Sequence, residues 1–266
     1  MDFEQLAKIE NESERVNRTY DIFNEDARLN HSKAARVEFL TTVHYIEKYL
    51  KKGDKILDIG AGAGEYSLYF ARKGYEVSAL ELADANIAAF RKKLAPDDTI
   101  DLVQGNALDL SRYEDKSFDI VLLFGPLYHL NKDGDKQTCI REAKRICKDG
   151  GKLFFAFISN DFIFLTELER DVHYFSIGDY DKETFRLHDF PFVFHTVDAA
   201  RKLLADGGVS ILHEVASDGA SELLAAKINE MDDENYAQYL RYHFYICEKP
   251  ELLGMTNHLL FVGEKN

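Results

Sequence analysis

Two acidic residues, Asp58 and Glu81, close two short apolar runs, Lys55–Ile59 and Tyr75–Leu80. Gly60, Gly62 and Gly64 follow the first run at alternate positions. A carboxylate two residues before a glycine turn repels a pyrophosphate and suits a ligand with positive charge and no phosphate. The glycines allow positive φ and close approach of the backbone to that ligand. Two phosphate-binding loops are excluded by spacing. In G-x-G-x-x-G counted from Gly60 and Gly62 the third glycine would fall at Glu65, but it stands one residue earlier, at Gly64. A phosphate loop would run on into Gly-Lys-Ser/Thr, and none follows. Alone, Asp58 reads as a turn or helix cap and Glu81 as a solvated strand end; the pair at this spacing points to a ligand. Further on, Tyr128 and His129 follow another apolar run. Histidine titrates near neutral pH, so His129 is the first candidate for a general base and Tyr128 the second. Packing of their loop is the alternative reading.

These residues need elements to hold them. Strand 55–60, a helix over 65–73 stopped by Gly74, strand 75–81, a helix over 84–94 and strand 99–104 alternate along the chain. That alternation predicts a parallel sheet with helices on both faces and the glycine turn at its carboxyl edge. Phe118–Phe124 is almost continuously apolar and so is expected at the centre of the sheet. A helix over 134–148, a strand over 152–158, a helix over 197–206, a strand over 209–215 and a last strand over 257–263 complete it. Before them, Val37, Leu40, Val43, Ile46 and Leu50 recur at helical spacing, predicting an amphipathic helix over 32–51 with Ser32 as N-cap.

The run Asp58-x-Gly60-x-Gly62-x-Gly64 resembles motif I of the class I S-adenosylmethionine (SAM)-dependent methyltransferases, and Glu81 ending the next strand strengthens the likeness. The resemblance implies an α/β fold: a seven-stranded, mostly parallel Rossmann-like sheet with helices on both faces and the last strand antiparallel beside the fifth. It implies SAM as cofactor, with Asp58, Gly60, Ala61, Gly62 and Gly64 at the glycine turn. Glu81 would hold the ribose hydroxyls, Leu82 lying beside it. In that family Gly-Asp-Ala often follows the third strand and takes the adenine amino group. Here it reads Gly105-Asn106-Ala107, and the Asn106 amide oxygen can accept the same bond; a turn-forming Asn106 is the alternative. Phe124 and Gly125 end the fourth strand beside the expected sulfonium. Gly125-Pro126-Leu127-Tyr128 lacks the Asn/Asp-Pro-Pro-Tyr/Phe of the DNA and glutamine amino-methyltransferases, which argues against methylation of nucleic-acid bases. The closest likeness is to the quinone- and sterol-methylating group, with a small-molecule acceptor. A non-catalytic SAM-binding protein is the rival, separated by whether an acceptor pocket exists. An NAD-dependent oxidoreductase is disfavoured by Asp58 and the glycine spacing.

Residues 1–50 read as an N-terminal helical segment and 51–266 as the methyltransferase domain. The segment around Tyr20 and Phe23 is either a flap over the cofactor or a surface helix. Between 159 and 195 the alternation breaks and aromatics crowd the chain, among them Phe162, Phe164, Tyr174, Tyr180 and Phe192. This insert is expected to cap the crevice, the alternative being a small core of its own. A second, helical insert spans 220–247. The net charge of −14 argues against a general nucleic-acid partner. Cys139, Cys147 and Cys247 are few, odd in number and not spaced for a metal, which fits a reducing cytoplasm. No HExxH pattern or acid–histidine cluster suggests a metal, and no signal-peptide or membrane-span pattern is present. Oligomeric state and acceptor identity are not written in these patterns.

Overall fold

A computed structural model describes residues 3–265, so the N-terminal reading at Met1 and Asp2 lies outside the described residues. Two short helices, α1 (Phe3–Ala7) and α2 (Glu12–Thr19), precede an irregular stretch and α3 (Arg36–Glu47). The alternating unit follows: β1 (Lys55–Ile59), α4 (Glu65–Arg72), β2 (Glu76–Glu81), α5 (Asp84–Lys93), β3 (Ile100–Gln104), β4 (Phe118–Leu123), α6 (Asp133–Ile146) and β5 (Cys147–Ser159). The insert holds α7 (Ile163–Arg170), α8 (Tyr174–Ile177) and the two-residue β6 (Phe194–His195). Then come α9 (Val197–Asp206), β7 (Val209–Ala216), α10 (Ala225–Glu230), α11 (Asp233–Ile246) and β8 (His258–Lys265).

The main sheet runs β3-β2-β1-β4-β5-β8-β7, with β6 pairing β5 as an eighth strand that periodicity did not reveal. β1 to β5 are mutually parallel, and β8 lies antiparallel between β5 and β7. β4 is central because both its faces are covered: Val121 and Leu123 belong to the core beneath α6 and α9, while Ile120 and Leu122 belong to the core beneath α3 and α4. The predicted helix over 32–51 begins at Arg36, since Ser32 caps the turn before it through Ala35 N–H to Ser32 Oγ at 3.1 Å.

The glycine turn is shaped by its neighbours. Gly60 has φ +75°, and a Cβ there would meet the Phe124 carbonyl oxygen at 2.8 Å. Gly64 has φ +83°, and a Cβ there would strike the Phe90 ring of α5 at 2.5 Å. Gly64 is therefore a packing glycine between α4 and α5.

The insert does two things. Phe164, Tyr180 and Leu187 bury one another in a small core. Its far end crosses the carboxyl edge of the sheet, where Val193 N–H donates to the Tyr128 carbonyl at 2.8 Å and Phe192 packs 5.2 Å from His129 between ring centroids. The helical insert packs on the N-terminal segment: Tyr236 Oη donates to the Lys33 carbonyl at 2.7 Å and Lys33 Nζ to the Met231 carbonyl at 2.6 Å.

Candidate active site

β1 and β2 bring Asp58 and Glu81 to the same edge, on either side of the glycine turn. Asp58 is buried; its Oδ2 accepts from Ser67 Oγ at 2.7 Å and its Oδ1 has no partner. Burial pushes its carboxyl up to about 7, with the charge of Glu81 adding to the effect. Glu81 is buried too. Its Oε2 accepts from Gly62 N–H at 2.7 Å and its Oε1 from Ala83 N–H at 2.7 Å. Those bonds offset part of the upward shift that burial causes. Glu81 thus braces the glycine turn as well as facing the site.

Two small chambers open here. One lies between α2 and the ends of β2 and β3, lined by Ser13, Tyr20, Leu82, Asn106, Ala107 and His129, with Gly60, Glu81 and Gly125 at its floor. The other is lined by Asp58, Ala61, Gly62, Phe124 and Tyr128, together with Glu25 and Arg28 of the N-terminal segment. Gly60 and Tyr20 belong to both. Free space is about 70 Å³ in the first and about 30 Å³ in the second, because α2 and the stretch after it lie directly over them. Every residue expected to touch the cofactor lines one of the two except Gly64.

Asn106 forms a turn while lining the first chamber. Its Oδ1 accepts from Leu108 N–H at 2.9 Å and its Nδ2 donates to Ser13 Oγ at 3.0 Å. The amide oxygen closes an Asx turn and the amide nitrogen holds α2, so adenine recognition through this side chain has only the oxygen's second lone pair available.

His129 lines the chamber under α2, and burial lowers its pKa to about 3, far from neutrality. Its Nε2 lies 2.8 Å from Tyr20 Oη and its Nδ1 is buried without a partner. Tyr20, whose own hydroxyl is pushed well up by burial, and Phe192 of the insert roof the imidazole from two sides. Tyr128 stands beside it, also raised by burial.

Residues that sequence reasoning did not single out complete the site. Arg28 Nε donates to Glu25 Oε1 at 2.7 Å and its Nη1 to Glu38 Oε2 at 2.6 Å. Glu38 Oε2 is 3.4 Å from His258 Nδ1, which lies 2.8 Å from Asp218 Oδ2. Burial alone would lower His258, but the Glu38 and Asp218 carboxylates reverse that and raise it to about 9. The acid–histidine cluster absent from local sequence is therefore assembled from α3, the segment after β7 and the start of β8. Glu38, Asp218 and His258 have ligand-type spacing. Yet Arg28, shared between Glu25 and Glu38, and His258, beside Glu38 and Asp218, already engage these carboxylates, and a metal ion would have to displace both. Arg28 lines the second inner chamber and also a wide outer chamber of about 530 Å³. A further chamber of about 410 Å³ shares Thr166, Arg170, Glu222 and His258 with it and is walled by Phe190, Phe192 and Phe194.

Residues 57–155 match the family described as methyltransferase domain. Demethylmenaquinone methyltransferase of Clavibacter sepedonicus is 33% identical over 102 residues, covering 38% of this chain and 40% of that protein. Ubiquinone biosynthesis O-methyltransferase of Hahella chejuensis is 26% identical over 157 residues, covering 59% of this chain and 63% of that one. The chain thus spans less than two thirds of these relatives' lengths. Among solved structures, magnesium protoporphyrin IX methyltransferase from Synechocystis PCC 6803 with bound SAH superposes with a TM-score of 0.59 at 13% identity, covering 96% of this chain and 100% of that one.

Proposed function

We propose that this chain, which carries a class I SAM-dependent methyltransferase domain, moves the sulfonium methyl of SAM to a small-molecule acceptor by in-line displacement. The observation that carries the reading is the pair of buried carboxylates around the glycine turn, with Asp58 Oδ1 unpartnered. Two buried acids at this place oppose a diphosphate and suit a ligand with an ammonium and no phosphate. SAM supplies, when bound, a methyl group activated by positively charged sulfur.

The remaining chemistry belongs to the chain. Asp58 would take the ammonium with its free oxygen. Glu81 would exchange its turn-bracing contacts for the ribose hydroxyls. Leu82, Asn106 and Ala107 would flank the adenine, and Gly60, Ala61, Gly62, Phe124 and Gly125 the rest of the ligand. Tyr20, Tyr128 and Phe192 exclude water where the inner chambers meet. The outer chambers would hold the acceptor, positioned by the insert. With its pKa lowered, His129 stays a neutral hydrogen-bonding group, and a base is needed only if the acceptor loses its proton early. The roomy outer chambers favour an enzyme over a non-catalytic SAM binder. No helix among the described residues is long and apolar enough to cross a membrane, and three buried free cysteines fit a reducing cytoplasm.

Calorimetry tests the reading. SAM and its demethylated product should bind while NAD gives no heat; tighter binding of NAD would overturn it. Labelled SAM incubated with a metabolite pool should then yield a labelled small molecule.

A further inference from the structure

The two outer chambers adjoin, with Thr166, Arg170, Glu222 and His258 lining both, and Arg28 lines the first of them as well as the second inner chamber; together the two make up the outer compartment. Its walls carry six carboxylates, from Glu38, Glu167, Glu169, Asp179, Asp218 and Glu222. Against them stand the guanidiniums of Arg28 and Arg170 and the imidazole of His258, with His31 also on the wall and His188 2.5 Å from Asp179. Arg28, Arg170 and His258 are already paired. Arg28 holds Glu38 at 2.6 Å, His258 holds Asp218 at 2.8 Å, and Arg170 holds Glu167 at 2.6 Å and also Glu222. Glu169 is exposed on this wall and has no partner among the described residues. A carboxylate or phosphate entering here would compete with these pairs and would meet surplus negative charge. A cation breaks nothing.

The other wall is aromatic. Tyr174, Phe190, Phe192 and Phe194, each partly buried, line the second outer chamber. The negative face of an aromatic ring attracts a cationic nitrogen, the more so where water is excluded. On the acidic side one nitrogen base is already held by carboxylates: His258 Nδ1 lies 2.8 Å from Asp218 Oδ2 and 3.4 Å from Glu38 Oε2.

We propose that the methyl acceptor is an amine-bearing molecule, its positively charged nitrogen held by this acidic wall and its apolar body by the aromatic one. The proposal rests on the methyl-transfer reading above and concerns recognition. The nucleophilic atom would reach the cofactor side past Arg28 and Tyr128.

The test uses three probes with a common ring: phenethylamine, 2-phenylethanol and 3-phenylpropanoate. Binding to the full chain is followed by calorimetry and saturation-transfer NMR, with and without S-adenosylhomocysteine. The amine should saturate and bind about tenfold more tightly than the carboxylate, as expected for a desolvated cation–π contact with a favourable field. Its affinity should fall with added salt. Glu169→Lys, at an exposed and unpaired position, should weaken amine binding about threefold without unfolding the chain. Phe192→Ala should weaken the amine and the alcohol alike. Equal or tighter binding of the carboxylate overturns the proposal, and so does failure of all three probes to saturate. If S-adenosylhomocysteine does not bind but the amine preference holds, the cofactor reading falls and the compartment's selectivity stands. If it binds and the preference is absent, only the present proposal falls.

Discussion

Tyr20 Oη lies 2.8 Å from Nε2 of His129, although the two residues are 109 positions apart. The contact ties the segment after α2 to the loop after β4 across the inner chambers. Other bonds repeat the tie: Asn17 and Gln104 share Asp84, Ser13 meets Asn106, and Glu12 accepts from Asn131 N–H. With about 70 and 30 Å³ of free space beneath, this segment must move for a cofactor to enter.

Loosening the tie should therefore change cofactor kinetics before it changes the fold. Tyr20→Phe removes one hydrogen bond, a net of about 0.5–1.5 kcal/mol. SAM should dissociate about two- to tenfold faster in stopped flow, with the melting temperature little altered. His129→Ala should have the same effect, and the two changes should not add in a double-mutant cycle. If His129 also acts as a base, turnover falls a further hundred- to ten-thousandfold, about the range of general base catalysis. Additive effects would show that the two side chains act separately.

Glu81 is expected to matter twice, once for the ribose and once for the turn. Glu81→Ala should weaken SAM binding about ten- to a hundredfold, from roughly 1.5–3 kcal/mol for hydrogen bonds to a charged group. Loss of the bonds to Gly62 and Ala83 N–H should also speed hydrogen exchange at those two amides. An unchanged dissociation constant in a folded variant would remove Glu81 from the cofactor site.

Asp58 links binding to pH. Its folded pKa, about 7, lies above the ordinary 3.8. The folded chain therefore holds a proton that the unfolded chain gives up. That contribution to stability is fully present below about pH 4 and is lost as pH rises through about 7. In the free protein, stability should decline over this window relative to Asp58→Asn, which cannot titrate. An ammonium at Oδ1 favours the ionised form, so SAM binding should release a proton below pH 7, seen as buffer-dependent heat in calorimetry. Parallel pH profiles for the two proteins would mean that Asp58 is ionised throughout.

Gly64→Ala should be costly for reasons unrelated to the ligand. Its φ of +83° and the Phe90 ring 2.5 Å from a new Cβ predict a loss of about 1–3 kcal/mol, from backbone strain and overpacking. Chemical denaturation should show the lowered stability, while SAM affinity per folded molecule stays near wild type. A large affinity loss with full stability would make Gly64 a cofactor contact first and a packing residue second.

The sheet was legible because its signals are local. Apolar runs such as Phe118–Leu123, glycine stops such as Gly74 and the spacing from Asp58 to Glu81 each constrain only neighbouring residues, and strand–helix alternation then leaves few topologies. The cofactor edge followed from the same spacing. Asn106 and His129 were legible as residues at that edge, but not in their partners: Leu108 and Ser13 engage the first, and Tyr20 and Phe192 enclose the second. The titration of His129 could not be read at all, since it depends on how much water the roof excludes. β6, two residues long, carries too little periodicity to be seen.

By itself the sequence determined the α/β architecture and the two carboxylates at the glycine turn, because backbone geometry and burial period are written in adjacent residues. Only the tertiary structure decided the rest. It laid Tyr20 on His129, packed Gly64 against Phe90, and joined Arg28, Glu38, Asp218 and His258 into one charged chain. Those relationships connect residues far apart in the chain, and their energies depend on distance and desolvation, which sequence separation does not encode.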